Sequence, residues 1–319
     1  MTELNVESFK AYDIRGRLGE ELNDDIAYRI GRATAEAQKT KSIILGFDAR
    51  ETSLSLAKAV AKGICDTGAD VLDIGLVGTE EVYAAVSEFN TDAGIEVTAS
   101  HNPIDYNGMK IVKHQSQPLS PDELSKIKLL AEKGNFNHVV ASGLTIDRKT
   151  EAREAYIEKI LKFVRLENLE SKKIVVNSGN GAAGPVIDSL NKKLKETGIE
   201  TDFVYVHHEP DSSFPNGIPN PLLEENRNAT ADIVVKEQAA FGVAFDGDFD
   251  RCFLFDHKGN FIPGEYVVGL LSDVFLRKEE GATIVHDPRV IWNMTDIVDK
   301  RKGHRVVSKS GHSFISNIK

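Results

Sequence analysis

The residues best suited to chemistry are three aspartates, Asp246, Asp248 and Asp250, in the segment FGVAFDGDFDR (241–251). Alternate residues of an extended chain point to the same side, so the three carboxylates are predicted to converge. Two negative charges ~4 Å apart repel by about 4 kcal/mol at an effective dielectric constant of ~20. A hard divalent cation with oxygen ligands relieves this repulsion, and the pattern therefore predicts a magnesium site.

The same acidic segment can also be interpreted as a solvated turn. The apolar run that leads into it argues for a buried strand and so for the metal site, while the turn stays open as the alternative. A calcium-binding EF-hand loop is excluded, because it needs Gly at its sixth position and Glu at its twelfth. Arg251 and His257 occupy those positions.

A second segment, GIEVTASHNPIDYNGMK (94–110), places a serine directly after an apolar run. Its small residues let the backbone approach a ligand closely, and Pro103 keeps the turn from continuing as a helix. Ser100 is a candidate nucleophile, and His101 is a candidate proton partner or phosphate donor. Lys110 adds a cation. An ordinary Ser/Asn/Pro turn is the simpler interpretation.

The surroundings of Ser100 favour one kind of transfer. No G-x-S-x-G motif surrounds this serine, which argues against an α/β-hydrolase. A serine that works beside a magnesium site suits phosphoryl transfer better than acyl transfer, since the metal offsets charge on the phosphoryl oxygens.

A glycine-rich segment, NSGNGAAGP (177–185), contains a literal G-x-G-x-x-G and raises the alternative of dinucleotide binding. Pro185 follows the last glycine directly. Glu200 and Asp202 precede or begin the next strand, whereas the acid that binds the ribose normally ends it. We therefore favour a tight interdomain turn near the cleft.

Composition narrows the class of protein. Apolar residues make up 41% and charged residues 28% of the 319 residues, as in a soluble globular protein. The net charge of −10 comes with no basic block, which argues against nucleic acid as a partner. The N-terminal segment has no apolar signal region, and no run reaches the ~18 apolar residues of a membrane span, so a cytoplasmic location is predicted.

One pattern of strand, small-residue loop, helix, glycine and second strand occurs three times along the chain. Such alternation is typical of βαβ units, and the wide spacing predicts three similar α/β domains. The copies comprise SIILGFDAR (42–50), a helix over 53–66 and ADVLDIGLV (69–77); KKIVVNSGNG (172–181), a helix over 185–197 and DFVYVHH (202–208); and ATIVHDPR (282–289), a helix over about 291–301 and HRVVSKSG (304–311).

The joins between these units are also predicted. The Pro-, Gly- and Asn-rich segment 209–221 cannot be regular structure, and RCFLFDHKGNFI (251–262) is predicted to be a hairpin that starts the third unit. The chain ends soon after the second strand of the third copy, which predicts that this unit is incomplete. The predicted domains are 1–146 with the serine loop, 147–257 with the metal loop, and 258–319.

Several motifs together resemble the α-D-phosphohexomutase family, and in particular its phosphomannomutase branch. They follow one order over nearly the whole chain, and the set is specific although no single motif is. The matching segments are FKAYDIRG (9–16), EVTASHNPIDYNGMKIV (96–112), NSGNGAAGPV (177–186), FPNGIPNPL (214–222), FDGDFDR (245–251) and SKSGHSFI (308–315).

The resemblance implies a set of site residues. Ser100 would carry the phosphoryl group, and a phosphoserine oxygen would join Asp246, Asp248 and Asp250 as ligands of Mg²⁺. The residues around them would be Tyr12 and Arg15 near the serine, with Arg15 contacting phosphate; Lys110 as general acid/base, helped by His101; Arg251 holding the metal loop and the phosphoserine; and Lys309 and His312 approaching the sugar.

Four of these residues also have simpler interpretations. Arg15 in a D-I-R-G turn can bridge to an acid, and Lys110 at the start of a strand can be a solvated lysine. Tyr12 can be a packing residue, and His312 can be a polar residue at the start of a helix.

The resemblance also implies an architecture of mixed-sheet αβα domains around a central cleft. Family members have four domains, with a Gly-Glu-Met-Ser-type sugar loop in the third and an Arg-Ser-Asn-type phosphate loop in the fourth. Neither motif occurs in this sequence. We therefore expect an incomplete third domain and no fourth domain, and the activity of a chain of this length stays open.

The function implied is interconversion of hexose 6-phosphate and hexose 1-phosphate through a phosphoserine and a hexose 1,6-bisphosphate. Phe249 between the last two acids favours mannose as the sugar. A monomer is expected, with no nucleic acid and no membrane as partner. Two alternatives remain, a metal-dependent aspartyl phosphatase with Asp246 as nucleophile and a truncated fragment that binds magnesium and sugar phosphate without turnover.

Overall fold

The computed structural model of the protein describes residues 2–11, 13–310 and 315. In this part of the chain the strands form three separate sheets, each flanked by helices. The two larger sheets are mixed, which confirms the predicted α/β class with mixed sheets. No helix within the described residues is both long enough and apolar enough to cross a membrane.

The first unit is built on a six-stranded sheet with the order β1-β5-β4-β2-β3-β6. Strands β4, β2, β3 and β6 are parallel, whereas β5 is antiparallel to both of its neighbours. The elements of this unit are β1 (Ile14–Arg17), α1 (Asp24–Gln38), β2 (Ser42–Phe47), α2 (Ser53–Cys65), β3 (Asp70–Leu76), α3 (Thr79–Glu88), β4 (Ala93–Val97), β5 (Tyr106–Lys113), α4 (Pro121–Lys133) and β6 (Thr145–Asp147).

Local sequence explains where the helices of the first unit begin and end. The Asn23 side chain accepts a hydrogen bond from the backbone N–H of Ile26 and so caps α1 (3.0 Å). Ser120 and Glu123 form a capping box at the start of α4. Gly134 ends α4 in the left-handed conformation, with φ of 62°.

The second unit is built on a five-stranded sheet with the order β11-β10-β9-β7-β8. Strands β9, β7 and β8 are parallel, and β10 is antiparallel to both of its neighbours. Residues 209–221 contain no helix or strand, as predicted. The elements of this unit are α5 (Lys149–Leu161), β7 (Lys173–Asn177), α6 (Ala183–Glu196), β8 (Asp202–Val206), α7 (Asn228–Lys236), β9 (Phe241–Phe245), β10 (Cys252–Phe255) and β11 (Phe261–Ile262).

The predicted hairpin over 251–262 exists, but it does not start the third unit. Its strands β10 and β11 extend the second sheet, because β10 pairs with β9. The second sheet therefore continues to Ile262, beyond the domain boundary predicted at 257. The three predicted domain ranges stay predictions.

The third unit, as far as the structure describes it, has two parallel strands and two helices. The predicted helix over about 291–301 corresponds to α9. The elements are α8 (Gly264–Lys278), β12 (Thr283–His286), α9 (Ile291–Lys300) and β13 (His304–Val307).

The first two units share one topology, and it positions the site. In each unit, a parallel strand is followed by the antiparallel strand beside it: β4 by β5 in the first and β9 by β10 in the second. Ser100 lies in the first of these connections, and the acidic turn 246–250 lies in the second. Two equivalent loops of a repeated fold therefore supply the two halves of the predicted site.

Candidate active site between the first two units

The serine loop and the acidic turn meet directly. Ser100 is buried, and its Oγ donates a hydrogen bond to Asp246 Oδ2 at 2.8 Å. His101 Nδ1 lies 3.1 Å from the same Oγ. The predicted convergence of a hydroxyl from the first unit with the acids of the second is therefore present.

Ser100 adopts an unusual backbone conformation, with φ of +50°. A residue with a side chain in this left-handed region is strained by roughly 1 kcal/mol or more, so its surroundings must hold it there. The backbone N–H of Ser100 donates to Thr98 Oγ1 at 2.8 Å, and Asn102 N–H closes the turn on the Ala99 carbonyl at 2.9 Å.

The three aspartates converge, but not for the reason that the sequence suggested. Asp246, Asp248 and Asp250 each offer a carboxylate oxygen, and these oxygens lie within 4.8 Å of one another. The segment is a turn and not an extended strand. Phe249 has φ of +43°, and its N–H donates to the Asp246 carbonyl at 3.1 Å. The turn, not strand alternation, brings the acids together.

The acidic turn fits a hard divalent cation. Asp248 is fully buried, and its Oδ1 has no hydrogen-bond partner among the residues that the structure describes. A buried carboxylate oxygen without a partner is unfavourable unless a cation binds it. The available donors are carboxylate oxygens and the Ser100 hydroxyl, and such oxygen-only sets are typical of Mg²⁺ or Ca²⁺.

The two buried acids differ in their electrostatics. Burial, together with the charges of Asp248 and Asp250, raises the pKa of Asp246 to about 7. Burial would also raise the pKa of Asp248. The charge and the hydrogen bond of the nearby Lys110 ammonium oppose burial, and that pKa falls to about 2. Asp248 is therefore ionised across the physiological range, whereas Asp246 changes charge within it.

Lys110 is not the solvated lysine of the simpler interpretation. Its Nζ donates to Asp248 Oδ2 and Asp250 Oδ2, each at 2.7 Å, and to Thr79 Oγ1 at 2.8 Å. Burial would lower the pKa of Lys110, but Asp248, Glu96 and Asp250 raise it above its ordinary value. Lys110 therefore holds its proton firmly in this arrangement.

Two residues beneath Lys110 were missed by sequence analysis. Thr79, at the start of α3, donates from its hydroxyl to Glu96 Oε2 at 2.6 Å and from its N–H to the Asp248 carbonyl at 3.1 Å. Glu96 is fully buried and lies opposite Lys110 in the pairing of β4 with β5. The sequence carried no signal for this pair, because only the structure shows the register that places the two charges opposite each other.

The other predicted cations lie at the edge of the same site. Arg15 donates to Asp13 Oδ2 at 3.0 Å and to Asn102 Oδ1 at 3.4 Å, so it bridges to an acid and also contacts the serine loop. Arg251 Nε lies 3.8 Å from Asp246 Oδ2.

Burial and the neighbouring charges of Arg251 and Arg15 lower the pKa of His101, which favours its neutral form.

Three predicted residues are not placed in the site by the structure. Tyr12 and His312 lie outside the described residues. Lys309 follows β13 in the third unit and is exposed. Their predicted contacts with the serine or the sugar stay predictions.

Sequence analysis also missed a buried ion pair under the serine loop. Asp48 and Arg50 follow β2, and their side chains lie 3.6 Å apart with almost no solvent exposure. Both residues stand in the quoted segment SIILGFDAR. The usable signal was two charged residues directly after an apolar run, and the structure places that run beside β4.

The glycine-rich loop packs against its neighbours in the second unit, and its Ala182 and Ala183 share a cluster with Leu76 of the first unit, so the interdomain turn stays a prediction. A Cβ on Gly181 would lie 2.6 Å from the Gly247 carbonyl, and one on Gly184 would lie 2.0 Å from the His208 carbonyl. The N–H of Ala182 donates to the Gly247 carbonyl at 3.0 Å. The loop therefore supports the acidic turn from behind.

Two family models match the chain. Residues 6–138 match the phosphoglucomutase/phosphomannomutase alpha/beta/alpha domain I, and residues 154–259 match domain II. A phosphomannomutase of Salmonella typhimurium is 54% identical over 99% of this chain and 69% of its own length. A phosphomannomutase of Escherichia coli is 53% identical over 96% of this chain and 68% of its own length.

A solved structure agrees with these matches. A phosphoglucomutase/phosphomannomutase family protein from Burkholderia thailandensis is 31% identical and superposes with a TM-score of 0.87. The alignment covers 99% of this chain and 68% of that one.

Proposed function

The chain belongs to the phosphoglucomutase/phosphomannomutase family, and from this premise we propose that Ser100 relays a phosphoryl group between the two ends of a hexose phosphate. The observation that carries the proposal is the 2.8 Å contact between Ser100 Oγ and Asp246 Oδ2. It joins a nucleophile from the first unit to a cation site from the second, which is the combination that phosphoryl transfer needs.

The proposed reaction has two balanced steps. The bond between Ser100 Oγ and phosphorus breaks as a free hydroxyl of hexose 1- or 6-phosphate attacks the phosphorus; the hydroxyl proton passes to a base, and Oγ takes up a proton. The resulting hexose 1,6-bisphosphate turns end for end. Ser100 Oγ then gives up its proton to a base and attacks the other phosphoryl group, and the released sugar oxygen takes up a proton.

The chain's own residues supply orientation and proton transfer. Lys110 is the proposed general acid/base, and because its carboxylate partners raise its pKa and hold its proton, its contribution in this arrangement is a fixed positive charge beside the acidic turn. His101 lies 3.1 Å from Ser100 Oγ. Its lowered pKa keeps the imidazole neutral, which is the form that can accept a proton. Arg15 and Arg251 contribute positive charge on the exposed side of the site, where a dianionic substrate would arrive.

We propose Mg²⁺ as the ion held by Asp246, Asp248, Asp250 and a phosphoserine oxygen. Such an ion offsets the charge on the transferring group. The oxygen-only donor set supports this assignment, and the partnerless Oδ1 of Asp248 supports the presence of a cation.

Mannose phosphate is the proposed substrate, supported by the relatives named phosphomannomutase at 53–54% identity. We further propose a cytoplasmic monomer with neither nucleic acid nor membrane as partner, and the net charge of −10 without a basic block argues against nucleic acid. Light scattering at several protein concentrations checks the monomer, which a mass that doubles with concentration would contradict.

The test is to expose the purified chain to mannose 1,6-bisphosphate with Mg²⁺ and to locate the phosphoryl group by intact mass and peptide mapping. We expect one group, on Ser100. Ser100→Ala should take up none and lose the conversion of mannose 1-phosphate by at least about 10⁴-fold. The control is Ser55→Ala, which removes an exposed serine of α2 and should behave as wild type.

Other outcomes separate the alternatives. A phosphoryl group on Asp246 would favour the aspartyl phosphatase. Uptake of Mg²⁺ and sugar phosphate without any covalent phosphoryl group would favour the fragment that binds without turnover.

A further inference from the structure

Arg50 makes an unusual set of contacts with the serine loop. It is 4% exposed, and its two terminal nitrogens donate to four backbone carbonyls of that loop. The acceptors are Ser100 at 2.8 Å, Asn102 at 2.5 Å, Pro103 at 2.9 Å and Tyr106 at 3.1 Å. Only a planar guanidinium with several N–H donors can satisfy four carbonyls in this way.

Asp48 completes a clamp around Ser100. Its Oδ1 accepts from the Arg50 N–H at 3.0 Å, and its Oδ2 accepts from Thr98 Oγ1 at 2.7 Å. Thr98 Oγ1 in turn accepts from the Ser100 N–H. The carbonyl of Ser100 is thus held by Arg50, and its N–H is held by Asp48 through Thr98.

The clamp also touches the second unit. A Cβ on Gly247 would lie 2.8 Å from the Ser100 carbonyl, the same oxygen that Arg50 binds. The Arg50 guanidinium lies 5.8 Å from the centre of the buried Phe214 ring. Arg50 therefore stands where the serine loop and the second unit come together.

The chain contains the same motif at a second place, in the third unit. Asp287 and Arg289 follow β12 as Asp48 and Arg50 follow β2, and Asp287 Oδ1 likewise accepts from the Arg289 N–H, at 2.8 Å. The Arg289 side chain is 76% exposed and pairs with Asp287. The D-x-R turn thus recurs in the third unit, and of these two arginines only Arg50 binds backbone carbonyls within the described residues.

We infer that Arg50, held by Asp48, is a positioning residue that keeps Ser100 in its left-handed conformation and so aims Oγ at the acidic turn. The inference rests on the proposed phosphoserine function. Arg50 is almost fully buried and acts through the backbone of the loop, so it should govern the rate of transfer more than the affinity for sugar.

The test follows the rate of Ser100 phosphorylation by mannose 1,6-bisphosphate in rapid-quench experiments on the full chain. Arg50→Lys keeps the charge but cannot span four carbonyls. It should slow transfer by about 100-fold and leave the half-saturating bisphosphate concentration within about 3-fold of wild type. Free guanidinium should raise the transfer rate of Arg50→Ala by at least about tenfold.

The matched controls are Arg289→Lys and Arg289→Ala, which should transfer at the wild-type rate with or without guanidinium. Three outcomes would overturn the inference. They are transfer by Arg50→Lys at the wild-type rate, a change only in its half-saturating bisphosphate concentration, and no increase in the rate of Arg50→Ala on addition of guanidinium. If neither Arg50 variant folds, Asp48→Asn decides, because it keeps the shape of the side chain but removes the charge that pairs with Arg50. Slow transfer with unchanged half-saturation supports the inference, and wild-type transfer overturns it.

The wild-type chain separates the two proposals. If Ser100 of the wild type accepts no phosphoryl group, both the proposed function and the proposed role of Arg50 fail. If the wild type is phosphorylated and Arg50→Lys matches its rate, the function stands and only the inference fails.

Discussion

The serine loop and the acidic turn occupy equivalent connections in two copies of one fold, β4–β5 in the first unit and β9–β10 in the second. Both bring a residue with positive φ to the site, Ser100 at +50° and Phe249 at +43°. One loop supplies a hydroxyl and the other supplies carboxylates. A repeated scaffold thus yields two complementary halves because the ends of its strands face each other across the join.

The two loops differ in what holds them. The backbone of the serine loop is held by Arg50 and Thr98 of its own unit, and Thr98 Oγ1 also lies 3.0 Å from Asp248 Oδ2 of the second unit. The acidic turn takes much of its support from the other unit, since Lys110 and Thr79 of the first unit donate to Asp248. The backbone of the serine loop therefore depends mostly on donors and acceptors of the first unit, whereas the carboxylates of the acidic turn depend on donors of the other unit.

The strongest test of this difference is to remove the acid on which the donors from the first unit converge. Asp248→Asn should weaken Mg²⁺ binding by at least about 100-fold, because a buried ligand is lost and Lys110 loses a charged partner. Calorimetric titration with Mg²⁺ measures the effect. Asp232→Asn, which changes an exposed acid of α7, should leave the affinity unchanged. Equal affinities in the two variants would contradict the assignment of Asp248.

Titration of Asp246 should make the acidic turn more sensitive to pH than the serine loop. Its pKa is about 7 in the folded chain, and a metal ligand must be deprotonated. Mg²⁺ affinity should therefore fall by about tenfold per pH unit below pH 7. Titrations at pH 6, 7 and 8 check this, and a flat profile in the wild type would contradict it.

The Asp246 carboxyl should also affect the stability of the metal-free protein, which should fall as pH rises whereas Mg²⁺ affinity rises. The folded pKa of Asp246 lies above the ordinary value of 3.8, so the folded state binds more protons between pH 4 and 7. The stabilisation from this group should be full below pH 4 and lost as pH rises through 7, at about 1 kcal/mol per pH unit. Asp246→Asn should remove this part of the slope in urea unfolding.

A smaller effect is expected from the support beneath Lys110. Thr79→Val keeps the N–H that binds the Asp248 carbonyl but removes the hydroxyl between Lys110 and Glu96. We expect a loss of about 1–3 kcal/mol in the free energy of unfolding and a roughly tenfold drop in Mg²⁺ affinity.

Thr91→Val is the matched control, since Thr91 is also buried in the first unit and its hydroxyl donates to a backbone carbonyl away from the site. It should lower stability without changing Mg²⁺ affinity. A loss of Mg²⁺ affinity in Thr91→Val, or no loss in Thr79→Val, would contradict the proposed support of the acidic turn by the first unit.

The smallest effect is expected in the third unit. Trp292 is 89% exposed on α9, and neither loop depends on it. Trp292→Ala should change the free energy of unfolding by less than about 0.5 kcal/mol, with Mg²⁺ affinity unchanged. A larger change in affinity would show that the two loops are not governed by the first two units alone.

Much of the site was open to prediction because its signals are local. An apolar run that ends in small or acidic residues marks the end of a buried strand, and this pattern located both Ser100 and the three aspartates. The prediction of convergence was right and its stated cause was wrong, since a left-handed Phe249 was not anticipated. The hairpin after the acids was found but assigned to the third unit, because strand order in a sheet cannot be read from spacing.

The sequence by itself determined the order of the elements and the chemical groups at the ends of β4 and β9. Periodicity, turn residues and the types of side chain are properties of short segments, and they suffice for that. Only the tertiary structure decided that Lys110 pairs with acids of another unit and that Arg50 binds the serine loop. Such partners are separated by 50 or more positions along the chain, and they meet only when the packing of whole sheets brings them together.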